Sequence, residues 1–128
     1  MASSDEKIRE LFHIEQLTLA NNNFRQVYYT TAKKDFQMVF MSLNPGEDIG
    51  METHPNITQF IRVENDSDGI AILDGKECHL YNGVAVIINP GVKHNIINKG
   101  KTPMKLYTIY VPANHPPDRI DKTKPKED

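Results

Sequence analysis

Tryptophan is missing from this chain of 128 residues, and cysteine occurs once, at Cys78. A lone thiol excludes an intrachain disulfide framework and a cysteine zinc cluster. Long apolar runs are also lacking: no stretch approaches the roughly 18 consecutive apolar residues of a membrane-spanning helix. Nor is there an excess of one charge. Fifteen Lys and Arg against seventeen Asp and Glu give a net charge of −2, which excludes a nucleic-acid binder that works by neutralising phosphates. The opening residues Met1–Lys7 lack the basic-then-apolar pattern of a secretory signal. The expectation is a reduced, cytoplasmic protein with no membrane and no nucleic-acid partner. Apolar residues make up 38% and charged residues 25%, the composition of one globular domain.

Helical patterning is scarce and confined to the start. Ser3 and Glu6 have capping-box spacing, and Ile8, Leu11 and Phe12 recur at i, i+3 and i+4, so a short helix is expected over residues 1–15. His13 closes that stretch as a surface or helix-end residue. From Asn21 onward the pattern is of short β-branched and aromatic runs between turn signals: Phe24–Thr30, Asp35–Leu43, Ile57–Glu64, Ile70–Leu73, Lys76–Leu80, Val84–Ile88, His94–Asn98 and Met104–Val111. Asp74-Gly75 and Asn82-Gly83 both suit hairpin turns with φ > 0. Many short strands without long crossovers point to an all-β antiparallel sandwich or barrel over residues 16–111. Residues 112–128 carry four prolines and many charges and read as a surface arm or frayed tail, inert or packed over a pocket rim or a neighbouring subunit. His115, within it, has no ligand spacing. His79 points outward beside Cys78 and Leu80, and Cys78 reads as a small core residue.

Chemistry concentrates in two segments, Gly46–Gln59 and Gly83–Asn98. Glu52 and His54 are two apart and share a strand face. Gln59 shares a face with Ile61 and Val63, where an unpaired buried amide costs about 1–3 kcal/mol. Phe60 and Arg62 alternate to the other face. In the second segment His94 shares its face with Ile96 and Asn98.

These two segments resemble the paired motifs of the cupin superfamily, G-x5-H-x-H-x(3,4)-E-x6-G and G-x5-P-x-G-x2-H-x3-N. Gly46, His54, Gly83, Gly91, His94 and Asn98 are in register. Glu52 stands at the first His, Gln59 at the Glu, Asn89 at the Pro, and Asp66 at the closing Gly. From about Phe24 to Thr123 the chain is similar to small single-domain cupins of the mannose-6-phosphate-isomerase-like group. The resemblance implies a double-stranded β-helix, a jelly-roll barrel with a short N-terminal helix, and a polar site inside it. It also implies one divalent metal ion, Fe, Mn, Ni or Zn, held by Glu52, His54, Gln59 and His94.

The departures leave the charge count of that set unchanged. Three neutral His and one Glu offset one unit of a dication's charge, and so do Glu52, Gln59 and two His. The mixed nitrogen and oxygen set suits those four metals alike, with weaker binding than a three-His site. A metal-free polar pocket and a structural remnant are the alternatives, the latter disfavoured because a buried carboxylate without a cation is costly. The expected function is a metal-dependent small-molecule cupin, isomerase-like or oxygenase-like, acting on a sugar, sugar phosphate or oxo-acid. The alternative is a non-catalytic small-molecule-binding cupin. Tyr28, Tyr29, Gln37, Met38, Phe40, Asn98 and Tyr107 are candidates to surround the ligands. A homodimer is expected, because a partly open jelly-roll leaves strand edges.

Overall fold

The computed structural model describes residues 8–126. In chain order the elements are α1 (Ile14–Ala20), β1 (Arg25–Thr30), β2 (Gln37–Leu43), β3 (Thr58–Val63), β4 (Asp68–Leu73), β5 (Lys76–Tyr81), β6 (Ala85–Ile88), β7 (His94–Asn98), β8 (Met104–Val111) and β9 (Ile120–Asp121). Every strand pairing is antiparallel. One sheet runs β6-β3-β8-β2-β1-β9 and the other β5-β4-β7. The β3–β8 ribbon of the first sheet continues as β4–β7 in the second, which is the winding of a double-stranded β-helix. No described helix is long and apolar enough to cross a membrane.

Period-two alternation puts Val39, Met41 and Leu43 of β2, Ile61 and Val63 of β3, and Leu106 of β8 between the sheets, each fully buried. Burying each such side chain is worth roughly 1.5–3 kcal/mol. β2 is also buried on its other face, where Met38 and Phe40 meet Tyr107 under Phe12, Ile14 and Leu17.

Among the described residues the helix spans Ile14–Ala20, overlapping the expected stretch only at its end. Residues 8–13 are turn and coil, and Ser3 and Glu6 lie outside the described residues. His13 is the N-cap, its Nδ1 accepting from the Gln16 amide at 3.1 Å. Ile8 and Leu11 remain 62% and 80% exposed, so their spacing has no core to face. At seven residues the helix is too short to stand alone. It is held instead by Ile14 and Leu17 against the sheet.

Asp74-Gly75 forms the expected hairpin turn between β4 and β5, with φ of 48° and 83°. Asn82-Gly83 does not. It turns the chain, with Val84 N–H donating to Tyr81 C=O at 2.9 Å, but β6 then pairs with β3 in the opposite sheet. The turn is a corner of the barrel. Of the two readings of residues 112–126, the surface arm describes them, since β9 adds an edge strand to β1 and Lys124 pairs with Asp48 at 2.5 Å.

Gly69 on β4 shows how closely the sheets approach. A Cβ there would lie 2.2 Å from Met104 Cε and 2.9 Å from the Ile97 carbonyl. The methionine tip can move, but the backbone carbonyl cannot. Gly69→Ala is expected to destabilise the fold by about 1–3 kcal/mol, read as a lower urea midpoint at unchanged slope.

Candidate metal centre

Asn44-Pro45-Gly46 ends β2, and residues 46–54 then lie along the free edge of β7. Gly46 N–H donates to Asn98 C=O at 3.0 Å and Ile49 N–H to Ile96 C=O at 3.0 Å. Glu52 and His94 exchange both backbone bonds at 2.9 Å. A pair bonded in this way carries its side chains on one face. His54 C=O accepts from Gly91 N–H at 2.9 Å, which ties the first motif to the turn before His94. The four predicted residues Glu52, His54, Gln59 and His94 line one cleft with Ile49, Ile61, Ile96 and Tyr110.

His54 and His94 have ring centroids 5.3 Å apart, and His54 Nε2 is 3.1 Å from Glu52 Oε2. Burial holds the His54 pKa below the ordinary imidazole value, with Glu52 pushing it up and His94 pushing it down. His94 is 4% exposed, and its Nδ1 lies 2.8 Å from the Val92 carbonyl. A carbonyl only accepts, so Nδ1 carries a proton. In the neutral ring Nε2 then holds the lone pair. Gln59 is 2% exposed. Its Nε2 donates to Thr108 Oγ1 at 3.0 Å, while its Oε1 is buried with no hydrogen-bond partner. An acceptor left in that state costs about 1–3 kcal/mol.

Two imidazoles, a carboxylate and an orphaned amide oxygen are a donor set that fits a divalent cation. Among the described residues no three His, Cys, Asp or Glu side chains already stand as a ligand cluster. Glu52, its side chain 39% exposed and turned to His54, is the member with room to move. The cleft between these side chains is too narrow for a water-sized sphere. Any molecule larger than an ion must therefore approach from its mouth.

The residues expected around the ligands mostly stand elsewhere. Met38, Phe40, Tyr107 and Tyr28 belong to the outer cluster beneath the helix, because they alternate with the inward positions of their strands. Tyr29 donates to Glu10 Oε2 at 2.7 Å on the surface. Asn98 Nδ2 donates to the Leu43 and Thr102 carbonyls at 2.9 Å each, bracing two turns. Gln37 faces inward but serves the arm: its Oε1 accepts from the Asn114 and His115 amides at 3.1 and 3.0 Å. Phe60 lies on the outer face and Arg62 pairs with Glu64. His79 is exposed and 2.7 Å from Asp68, and Cys78 is half-buried.

Two residues at the site were not singled out from the sequence. Tyr110 alternates inward with Thr108 and Leu106, a period-two signal in plain view. Its ring meets His54 edge-on at 6.2 Å, and burial pushes its phenol up to about 12, with Glu52 adding to the rise. His115 Nε2 lies 3.4 Å from the Tyr110 hydroxyl. No spacing in the chain announces His115, because the fold-back of the arm is what brings it in.

The family model described as a cupin domain matches residues 39–110. An uncharacterised protein of Bacillus subtilis, YrkC, is 43% identical over 118 residues, covering 88% of this chain and 62% of that one. Protein L612 of Acanthamoeba polyphaga mimivirus is 42% identical over 120 residues, covering 89% and 72%. The chain thus spans under two thirds of the first relative's length. The crystal structure of BH2720 from Bacillus halodurans superposes with a TM-score of 0.85 at 33% identity, covering 94% of this chain and 92% of that one.

His115 makes stability depend on pH. Burial first, then the Arg25 and Arg119 guanidiniums, lower its pKa from 6.5 to about 4. The folded imidazole stays neutral where the unfolded one takes up a proton. Stability is therefore full above the unfolded value and declines as pH falls from 6.5 toward about 4. The melting temperature of chelator-treated protein is expected to drop across that window. His115→Gln should flatten the drop.

Proposed function

The chain belongs to the cupin family, and from that membership and the side-chain cluster we propose a metal-dependent small-molecule protein. Glu52, His54 and His94 hold one divalent ion, with Gln59 as a fourth, oxygen donor. The observation that carries this reading is the buried Gln59 Oε1 without a partner, lining the same cleft as the two imidazoles and the acid. A native fold rarely tolerates such an acceptor unless something supplies the missing contact.

A divalent ion held there supplies Lewis-acid polarisation of a substrate oxygen. The protein's own groups prepare for it. Val92 C=O fixes the Nδ1 proton of His94 and so commits Nε2 to accept. The contact between His54 Nε2 and Glu52 Oε2 keeps both groups at the cleft. An ion would need His54 in its neutral form, which burial favours, so loading would ease as pH rises through the lowered imidazole pKa. Tyr110, kept neutral by burial, remains a hydroxyl donor beside the site. The substrate class is an oxygenated small molecule, a sugar, sugar phosphate or oxo-acid, that enters at the mouth of the cleft.

A non-catalytic binding role is the second reading. It is favoured by the Glu52–His54 contact, which satisfies both groups without an ion. The two separate in one experiment. Protein purified without a chelator or a histidine tag is expected to carry close to stoichiometric divalent metal by elemental analysis. Glu52→Ala and His94→Ala should each weaken binding at least about 100-fold. Gln59→Glu should tighten it, by adding a charge at a buried donor. Metal-free wild-type protein whose melting temperature ignores both chelator and added metal would overturn the metal reading and leave the binding one.

A further inference from the structure

Beside the narrow cleft, and sharing Ile49, Gly50 and Glu52 with it, lies an open vestibule with about 540 Å³ of space that water can enter. Its other wall is the C-terminal arm. Arg25, Arg119, Lys124 and Lys126 line it, and Glu52 is the acidic residue among its lining. The size is that of a small-molecule pocket, and the excess of cations is set by where the arm crosses β1.

The hydrogen bonds show what this wall lacks. Arg25 has a side chain only 8% exposed. Its Nη1 donates to Asp121 Oδ2 at 2.6 Å, and the same oxygen is ion-paired with Arg119 Nε at 3.0 Å. One carboxylate thus serves two guanidiniums, while Arg25 Nε is buried with no partner among the described residues. Lys124 is answered by Asp48 at 2.5 Å. A buried guanidinium N–H without an acceptor is costly. The planar, several-oxygen acceptors that suit a guanidinium fork are carboxylates and phosphates. The neutral state of His115, which burial and the two guanidiniums enforce, marks the same region as one where further positive charge is disfavoured.

We propose that this vestibule binds the anionic headgroup, a carboxylate or a phosphate, of the small molecule that reaches the cleft, with Arg25 and Arg119 as its principal donors. The proposal deepens the reading of the cleft as a ligand site and rests on it for the rest of the molecule. The recognition of the headgroup itself needs no metal. The arm acquires a role in this way, since residues 115–126 bring Arg119, Lys124 and Lys126 to a pocket that the barrel alone would leave open on that side.

The test uses the full chain and the Arg25 Nε–H resonance in nitrogen-15 NMR, so that its first readout needs no mutation. Inorganic phosphate, succinate and chloride are titrated in turn at matched ionic strength. The expected result is a saturable shift with phosphate or succinate and none with chloride, the stronger of the two identifying the headgroup. Arg119→Gln should weaken that response by about tenfold, with the His115 amide resonance unchanged to show that the arm still packs. His94→Ala, which removes a proposed metal ligand, should leave it intact, so failure of the metal reading and failure of this one are told apart. Absence of a saturable shift with either oxyanion, or an equal response in Arg119→Gln with the arm in place, would overturn the proposal.

Discussion

The pair of backbone hydrogen bonds between Glu52 and His94, both 2.9 Å, is the contact on which the site depends. It joins segments more than forty positions apart and converts two sequence motifs into one place. Without it, residues 46–54 would be an ordinary connection between β2 and β3, free to carry Glu52 and His54 away from His94. The neighbouring bonds from Gly46 and Ile49 to β7 keep the segment in register. A slip of one residue there would turn Glu52 and His54 to the face opposite His94. The functional groups are thus placed by backbone pairing and only tuned by side-chain contacts.

The barrel around that seam is stabilised from both sides, which explains why a short helix matters. The inner faces of β2, β3 and β8 fill the space between the sheets, but Met38, Phe40 and Tyr107 leave a second apolar layer on the outside. The segment from Phe12 to Leu17 covers it. Phe12 and Tyr28 rings lie 4.8 Å apart, and Tyr28 and Phe40 5.2 Å, a continuous aromatic contact running from the coil before the helix into the sheet. Burial on both faces fixes β2, and β2 in turn holds Gln37 against the arm. The outer layer and the vestibule are therefore coupled through one strand.

Much of this is legible in the chain itself. Strand runs such as Met104–Val111 alternate cleanly because one face meets the core, and Asp74-Gly75 has the backbone chemistry its turn requires. Motif spacing places Glu52, His54, Gln59 and His94 together, since strand register converts sequence spacing into position. What stays hidden is tertiary. Ile8 and Leu11 imitate a helix face, but the sheet has apolar surface only for Phe12, Ile14 and Leu17. Asn82-Gly83 has hairpin chemistry, yet the strands it joins belong to different sheets, a choice made by long-range pairing. Met38 and Phe40 look like pocket residues until the parity of β2 is known. The arm has too little apolar content to announce that it docks; what fastens it is two backbone pairings to β1 and the ion pairs of Asp121 and Lys124.

The placing of the carboxylate at position 52, with an amide at 59 where the family motif has Glu, has a physical logic beyond charge counting. Position 59 is almost wholly buried and flanked by β6 and β8, so a carboxylate there would need a cation or a proton whenever the fold formed. An amide avoids that demand, at the smaller cost of one unmatched oxygen. The acid instead occupies position 52, where its side chain reaches solvent and can pair with His54. The charge there is solvated while the acid still lines the cleft. On the proposed reading of the cleft as a metal site, folding would be separated from loading, because the acid that would meet the ion already has solvent and His54 as partners. Such a site would exchange an ion more freely than one with the carboxylate sealed in the core. The open vestibule beside Glu52 is lined by cations, so on the proposed reading it is the side that suits an anionic ligand.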